Sequence, residues 1–170
     1  AAPGVAGGTM YADVNSVSPR TKEEAAEIIE RAGGRYVEAA VMSPIHPKGI
    51  GTPILLGGKH SAAFLEVARP LGFNAKPYSE RIGAASSVKM CRSIMVKGIE
   101  SLVTEFLLTS HHYGVTDDVL ASLQDLFPGH DWQKTSSYML SRVLEHGHRR
   151  AEEMREVAKT VADAGLEPTM

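Results

Sequence analysis

The chain has 170 residues, 43% of them hydrophobic, with 18 basic against 20 acidic side chains for a formal net charge of −2. That is enough apolar mass to bury a core in one domain, or one and a part, and no stretch concentrates Lys and Arg as a phosphate-tracking surface requires, so no nucleic-acid partner is expected. One cysteine, Cys91, excludes an internal disulfide framework and reads as a small buried hydrophobe in a reducing compartment.

No apolar run reaches the roughly 20 residues that span a bilayer. The opening Ala-Ala-Pro-Gly-Val-Ala-Gly-Gly lacks the basic and apolar regions of a signal peptide. A cytoplasmic protein without membrane contact is the expectation.

Residues 9–14 read as a strand ending near Asp13. Ser18-Pro19 then turns the chain, and Thr21-Lys22-Glu23-Glu24 has the form of a capping box, so a helix is expected to start there. Ala25, Ala26, Ile28, Ile29 and Ala32 form its apolar stripe, and Gly33-Gly34 supplies a left-handed stop. Residues 35–41 and 52–56 read as two more strands, joined by a loop constrained by Pro44, Pro47, Gly49 and Gly51. Gly57-Gly58 is expected to end the sheet, and residues 60–68 read as a short helix.

From Gly83 the texture becomes helical. Ala84 to about His112 reads as one helix of roughly 30 residues, about 45 Å long, whose many apolar positions predict burial by neighbours. Thr116 is placed to cap the next helix, with Asp117 and Asp118 at the positive end of its dipole. Two helices are predicted after that, 131–145 and 149–164, broken around His146-Gly147-His148. The methionines Met90, Met95, Met139 and Met154 read as core filling.

Lysine is disfavoured in the first turns of a helix by the dipole unless it has somewhere to go, and Lys89 lies there. It follows the small-residue run Gly83-Ala84-Ala85-Ser86-Ser87, which lets a ligand or another backbone come close. These features alone leave Lys89 open between a solvated lysine and a site residue. The strand-end segments Asp13–Pro19 and Val41–Pro44 carry hydroxyl and amide groups where open α/β sheets bind ligands, although turn and capping chemistry accounts for them equally. His111-His112 and His146-Gly147-His148 have no carboxylate or cysteine at ligand spacing, so no metal is expected.

Taken in order, Asp13–Pro19, Gly34–Val41, Gly51–Gly58 and Gly83–Ser93 resemble the β-hydroxyacid dehydrogenase family, which includes 3-hydroxyisobutyrate and 6-phosphogluconate dehydrogenases. The likeness extends over nearly the whole chain and points to the branch with an uncharacterised 6-phosphogluconate-dehydrogenase-like C-terminal domain. It implies that residues 1–80 are the C-terminal part of a Rossmann-like NAD(P)-binding domain. Residues 81–170 would then be an all-helical domain built on one long interdomain helix.

By that resemblance the protein is an oxidoreductase acting on the CH–OH group of a small 3-hydroxyacid, with NAD or NADP as cofactor. Lys89 is its acid/base, taking the hydroxyl proton as hydride passes to the nicotinamide. Ser16, Val17 and Ser18 would hold a substrate carboxylate, with Ser43, Arg92 and Ser93 completing the pocket. Two departures concern the substrate. Val41-Met42-Ser43-Pro44 stands where much of the family has Val-Ser-Gly-Gly, and Ser93 stands where many members have asparagine.

A third departure concerns the cofactor, because no Gly-x-Gly-x-x-Gly follows a strand and Gly4–Gly8 cannot replace it. The chain therefore reads as a fragment without its main cofactor-binding half, inactive in isolation. The resemblance also implies a homodimer formed through the helical domain. A purely non-catalytic helical dimerisation module is the alternative.

Overall fold

The computed structural model describes residues 4–169, which carry β1 (Met10–Asp13), α1 (Pro19–Arg31), β2 (Arg35–Val41), β3 (Ile54–Gly57), α2 (Ser61–Ala68), β4 (Ala75–Ser79), α3 (Ala84–His112), α4 (Thr116–Leu126) and α5 (Trp132–Asp163). The sheet order is β1-β2-β3-β4. β1 runs parallel to β2, β2 antiparallel to β3, and β3 parallel to β4. This small mixed sheet with helices, followed by an all-helical stretch, is the α/β-then-α organisation expected.

The residues divide into two compact units, one running to Arg92 and including Arg155–Thr169, the other Ser93–Met154. In the first unit β2 is covered on both faces, which is why it reads as an apolar run. Val37 and Ala39 pack with Ile54, Leu56, Phe64 and Leu65 on one side. Tyr36 packs with Ala26 and Ile29 of α1 on the other, and Ala40 with Leu55 and Ala85 at the start of α3. Period-2 alternation puts Glu38 on the same side as Tyr36 and Ala40, and it is fully buried.

Several elements differ from expectation. The cap of α1 is Ser18, whose hydroxyl accepts the Thr21 N–H at 3.3 Å, with Pro19 at the first helical position; proline is pre-organised there, so the helix begins ahead of Thr21. Lys22 rather than Ile28 joins its buried face. The sheet does not end at Gly57-Gly58, since β4 pairs with β3. Ala-Lys-Pro-Tyr-Ser is polar and partly exposed, and Pro77 is tolerated because the strand lies at an edge.

Thr116 begins α4 rather than capping it, and its hydroxyl shares a hydrogen bond with that of Ser110 at 3.2 Å. The two final helices are one, α5, because a lone interior glycine such as Gly147 weakens a helix by about 1 kcal/mol without stopping it. Its start is capped by Asp131, which accepts the Lys134 N–H at 2.9 Å.

The long α3 is buried only in part. Cys91 is exposed, as are Met95 and Leu102 at 67% each, so neither the thiol nor Met95 is core filling. Within the second unit, α3 and α5 are joined by buried charges. Arg150 pairs with Glu100 at 2.8 Å and Lys97 with Glu153 at 3.1 Å. Among the described residues no helix is long and apolar enough to cross a membrane.

Candidate functional site

Lys89 is half-buried in the second turn of α3, and its Nζ donates to the Ser16 hydroxyl at 2.5 Å across 73 residues of sequence. Both residues lie in the first unit. Their setting has two parts, a loop held at both ends and a helix start anchored to the sheet.

The loop runs from Val14 to Ser18. At its beginning the buried Asp13 folds back, Oδ1 accepting from the Asn15 backbone N–H at 3.0 Å and from Asn15 Nδ2 at 2.7 Å. Its other oxygen accepts from the Tyr36 hydroxyl at 2.6 Å and pairs with Lys22 Nζ at 3.0 Å. Lys22, fully buried, also donates to the Asp13 carbonyl at 2.9 Å. A buried ammonium without such partners would be costly.

Burial pushes Asp13 up, but the Tyr36 hydroxyl, the Asn15 amide and the Lys22 ammonium together outweigh it and hold the carboxyl below the usual range. Burial pushes Lys22 down, against the raising pull of Asp13 and Glu38. Burial, aided by the hydrogen bond to Asp13, pushes the Tyr36 phenol well up, so it remains a donor. At the other end of the loop the Ser18 N–H donates to Glu156 of α5 at 2.9 Å.

The start of α3 is fixed by Glu38. Its Oε2 accepts the Gly83 N–H at 2.8 Å, and its Oε1 accepts both the Ser86 N–H at 2.5 Å and the Ser86 hydroxyl. A carboxylate at a helix N-terminus satisfies orphan N–H groups and complements the dipole, one turn ahead of Lys89. Gly57, opposite Glu38 in the ladder, makes this possible, because a Cβ there would run into the Glu38 carboxylate.

Among the other sequence candidates, Val17 is half-buried in the loop. Ser18 is buried, with its hydroxyl and N–H engaged by Thr21 and Glu156. Ser43 is half-buried in the segment after β2, and its hydroxyl reaches the Pro44 carbonyl at 3.5 Å. Arg92 is exposed on α3, and Ser93 is buried and belongs to the second unit. Lys89 and Ser16 are thus the candidates joined by a direct hydrogen bond.

Sequence reading missed Lys22, Tyr36, Glu38 and Glu156. Only Glu38 carried a visible signal, as the one charge inside the apolar run Tyr36–Val41. The others become functional candidates through partners distant in sequence.

Residues 110–170 match the Domain of unknown function DUF1932. The chain is 28% identical over 164 residues to an uncharacterized 28.5 kDa protein in the 7S RNA 5′ region of Methanothermus fervidus, covering 95% of this chain and 61% of that protein. A conserved hypothetical protein from Sinorhizobium meliloti 1021 has a similar structure, with a TM-score of 0.80 and 43% identity, over 94% of this chain and 53% of the other. A second conserved protein of unknown function, described as structurally similar to 3-hydroxyacid dehydrogenases, gives a TM-score of 0.77 and 34% identity over 95% and 60% of the two chains. The chain therefore spans between about half and three fifths of these relatives.

At lower identity the fold recurs in a 3-hydroxyisobutyrate dehydrogenase from Salmonella typhimurium, with a TM-score of 0.66 and 15% identity over 96% and 60% of the two chains. It recurs again in an imine reductase from Myxococcus stipitatus in complex with NADP+, with a TM-score of 0.55 and 21% identity over 84% and 51%. The family likeness carried by the four ordered sequence segments is the one these comparisons return. Residues 110–170 thus match DUF1932, and the chain has the fold of 3-hydroxyacid-dehydrogenase-like proteins.

Proposed function

We propose that this chain supplies the proton-transferring, substrate-side part of an NAD(P)-dependent oxidoreductase acting on the CH–OH group of a small 3-hydroxyacid, with Lys89 as acid/base. The observation that carries the reading is the 2.5 Å hydrogen bond from Lys89 Nζ to the Ser16 hydroxyl. A general acid/base must lie within hydrogen-bond reach of the oxygen whose proton it moves, and this nitrogen already serves one hydroxyl beside the loop after β1. In the oxidising direction a neutral Lys89 takes the substrate hydroxyl proton. In the carbonyl-reducing direction its ammonium returns it.

Ser16, Val17, Ser43 and Arg92 are assigned to the substrate, Arg92 offering a fork suited to a carboxylate. Ser18 shapes the loop, since its polar groups are engaged. Ser93 is kept as a substrate residue only by the resemblance.

The described residues do not themselves fit a dinucleotide. The turn from β1 to α1 has no glycine, and the N-termini of α1 and α3 are already capped by Ser18 and Glu38. The turn after β3 is glycine-rich, but the space a Cβ on Gly58 would take is filled by the Ile82 side chain, 2.6 Å from that position. On this reading the residues of this chain supply proton transfer and substrate contact, and the chain in isolation is proposed to be inactive.

The test is NAD(P)-linked turnover of a panel of small 3-hydroxyacids by a polypeptide of the relatives' full length. Lys89→Ala is expected to abolish turnover with an unchanged circular dichroism spectrum; normal turnover in that variant would overturn the assignment.

A homodimer through the helical part is proposed alongside. Met95 and Leu102 lie seven residues apart on one exposed face of α3, and Leu144 of α5 is 78% exposed. Sedimentation velocity over a concentration series should show a monomer–dimer equilibrium that Met95→Glu with Leu102→Glu shifts to monomer.

A further inference from the structure

We infer that the last helix of the DUF1932 segment is a positioning element of the candidate site, and that Glu156 acts in it by completing the cap of α1 from a distance. A full capping box has two reciprocal bonds, the N-cap hydroxyl to the N–H three residues on, and a Glu or Gln at that third position back to the N-cap N–H. At α1 the first bond is present, Ser18 Oγ accepting the Thr21 N–H. The third position, however, is Thr21, whose short side chain bonds the Ser18 hydroxyl at 2.9 Å instead. The carboxylate that accepts the Ser18 N–H is Glu156, 138 residues later, at 2.9 Å.

Several features suit Glu156 to this task. Arg155–Thr169 belongs to the same compact unit as the sheet and α1. The neighbouring Val157 is buried at 2% exposure, so this turn of the helix is covered. Glu156 Oε1 is held by Lys159 Nζ at 2.6 Å, leaving Oε2 aimed at Ser18. Burial works against the ionised carboxyl, but Lys159 and the Ser18 amide hold it below the usual range, so it stays an anion at the positive end of α1.

The consequence reaches Lys89 through the loop. Ser18 ends the segment that begins at Asp13, and Ser16, the partner of Lys89, lies between the two anchored ends. With Glu156 removed, Ser18 keeps its hydroxyl and carbonyl bonds to Thr21 and Lys22 but loses the bond at its N–H, so that end of the loop loosens and Ser16 is held less firmly against Lys89. Glu156 is a positioning residue, and its connection to catalysis rests on the Lys89–Ser16 reading given above. Its placement role is measurable without turnover, so failure of one can be told from failure of the other.

The test follows amide hydrogen exchange of residues 15–18 and competitive acetic-anhydride labelling of Lys89 relative to the exposed Lys48 in the 170-residue chain. Glu156→Ala should raise exchange at Ser18 by about tenfold or more, as for loss of a charge-assisted hydrogen bond, and raise Lys89 labelling, with β2 amides unchanged. Glu156→Gln, which keeps an acceptor, should restore both; Lys159→Ala, which frees Oε1 but leaves the acceptor in place, should raise both by less than Glu156→Ala does. Thr21→Glu in the Glu156→Ala background should rebuild the box locally and recover the loop. Unchanged exchange at residues 15–18 and unchanged Lys89 labelling in Glu156→Ala would overturn the proposal. If that variant loses protection throughout, the double variant decides: recovered loop protection supports the proposal, and no recovery overturns it.

Discussion

Glu38, in the middle of β2, accepts both the backbone N–H and the hydroxyl of Ser86 at the start of α3, 48 residues later. One carboxylate thereby ties a central strand to the helix that presents Lys89. Three donors converge on it once Gly83 is counted, which is why a charge is tolerated at a site with no solvent exposure.

Glu38→Ala should cost about 3–5 kcal/mol in urea unfolding, because it strands buried donors that no water reaches. Glu38→Gln, which keeps an oxygen, should cost less. Gly57→Ala is expected to resemble Glu38→Ala, since its methyl group would occupy the space of the Glu38 carboxylate.

The Asp13–Lys22 pair sets a pH dependence. Folded Asp13 lies below its ordinary value of 3.8, so as pH falls the unfolded state binds the proton first. The stabilisation is therefore present above about pH 5 and is lost progressively as pH falls through the folded value. Unfolding free energies of wild type and Asp13→Asn over this range should diverge at neutral pH and converge in acid. An undiminished acid-side slope in Asp13→Asn would show that other carboxylates carry it.

Ser16 and Lys89 should be energetically coupled. A double-mutant cycle with Ser16→Ala and Lys89→Met is expected to return a coupling of about 1 kcal/mol, the modest value of a half-buried hydrogen bond to a charged group. Additive single effects would mean that the two groups do not hold one another in solution.

In the second unit, Glu100→Ala should destabilise by about 2 kcal/mol, since Arg150 loses its 2.8 Å partner while mostly buried. The loss is limited because Glu153 remains 3.7 Å from the same guanidinium. Thermal unfolding of Glu100→Ala and Glu100→Gln would measure it.

Much of the fold was legible where signals are long and bounded. The strand at residues 35–41 and the helix at residues 84–112 stand where periodicity and flanking glycines put them. The edge strand β4 was not legible, because a polar five-residue strand containing proline gains its identity only from pairing with β3. The exposure of Cys91 and Met95 was hidden for a related reason: apolar composition predicts burial only where a neighbour comes to cover that face.

The α/β followed by all-α organisation was legible in local patterns, and the ordered segments named Lys89 and Ser16, which the fold joins by a hydrogen bond. The supports around them were decided by tertiary structure alone. Lys22 stood in the sequence only as part of a capping box, Glu38 only inside the strand at residues 35–41, and Glu156 only inside the helix at residues 149–164. Each acquires its role from a partner 9, 48 or 138 residues away. Capping, turn and periodicity signals act over a few residues and are written along the chain, whereas a buried charge is satisfied only by whatever donors or acceptors the folded chain brings to it.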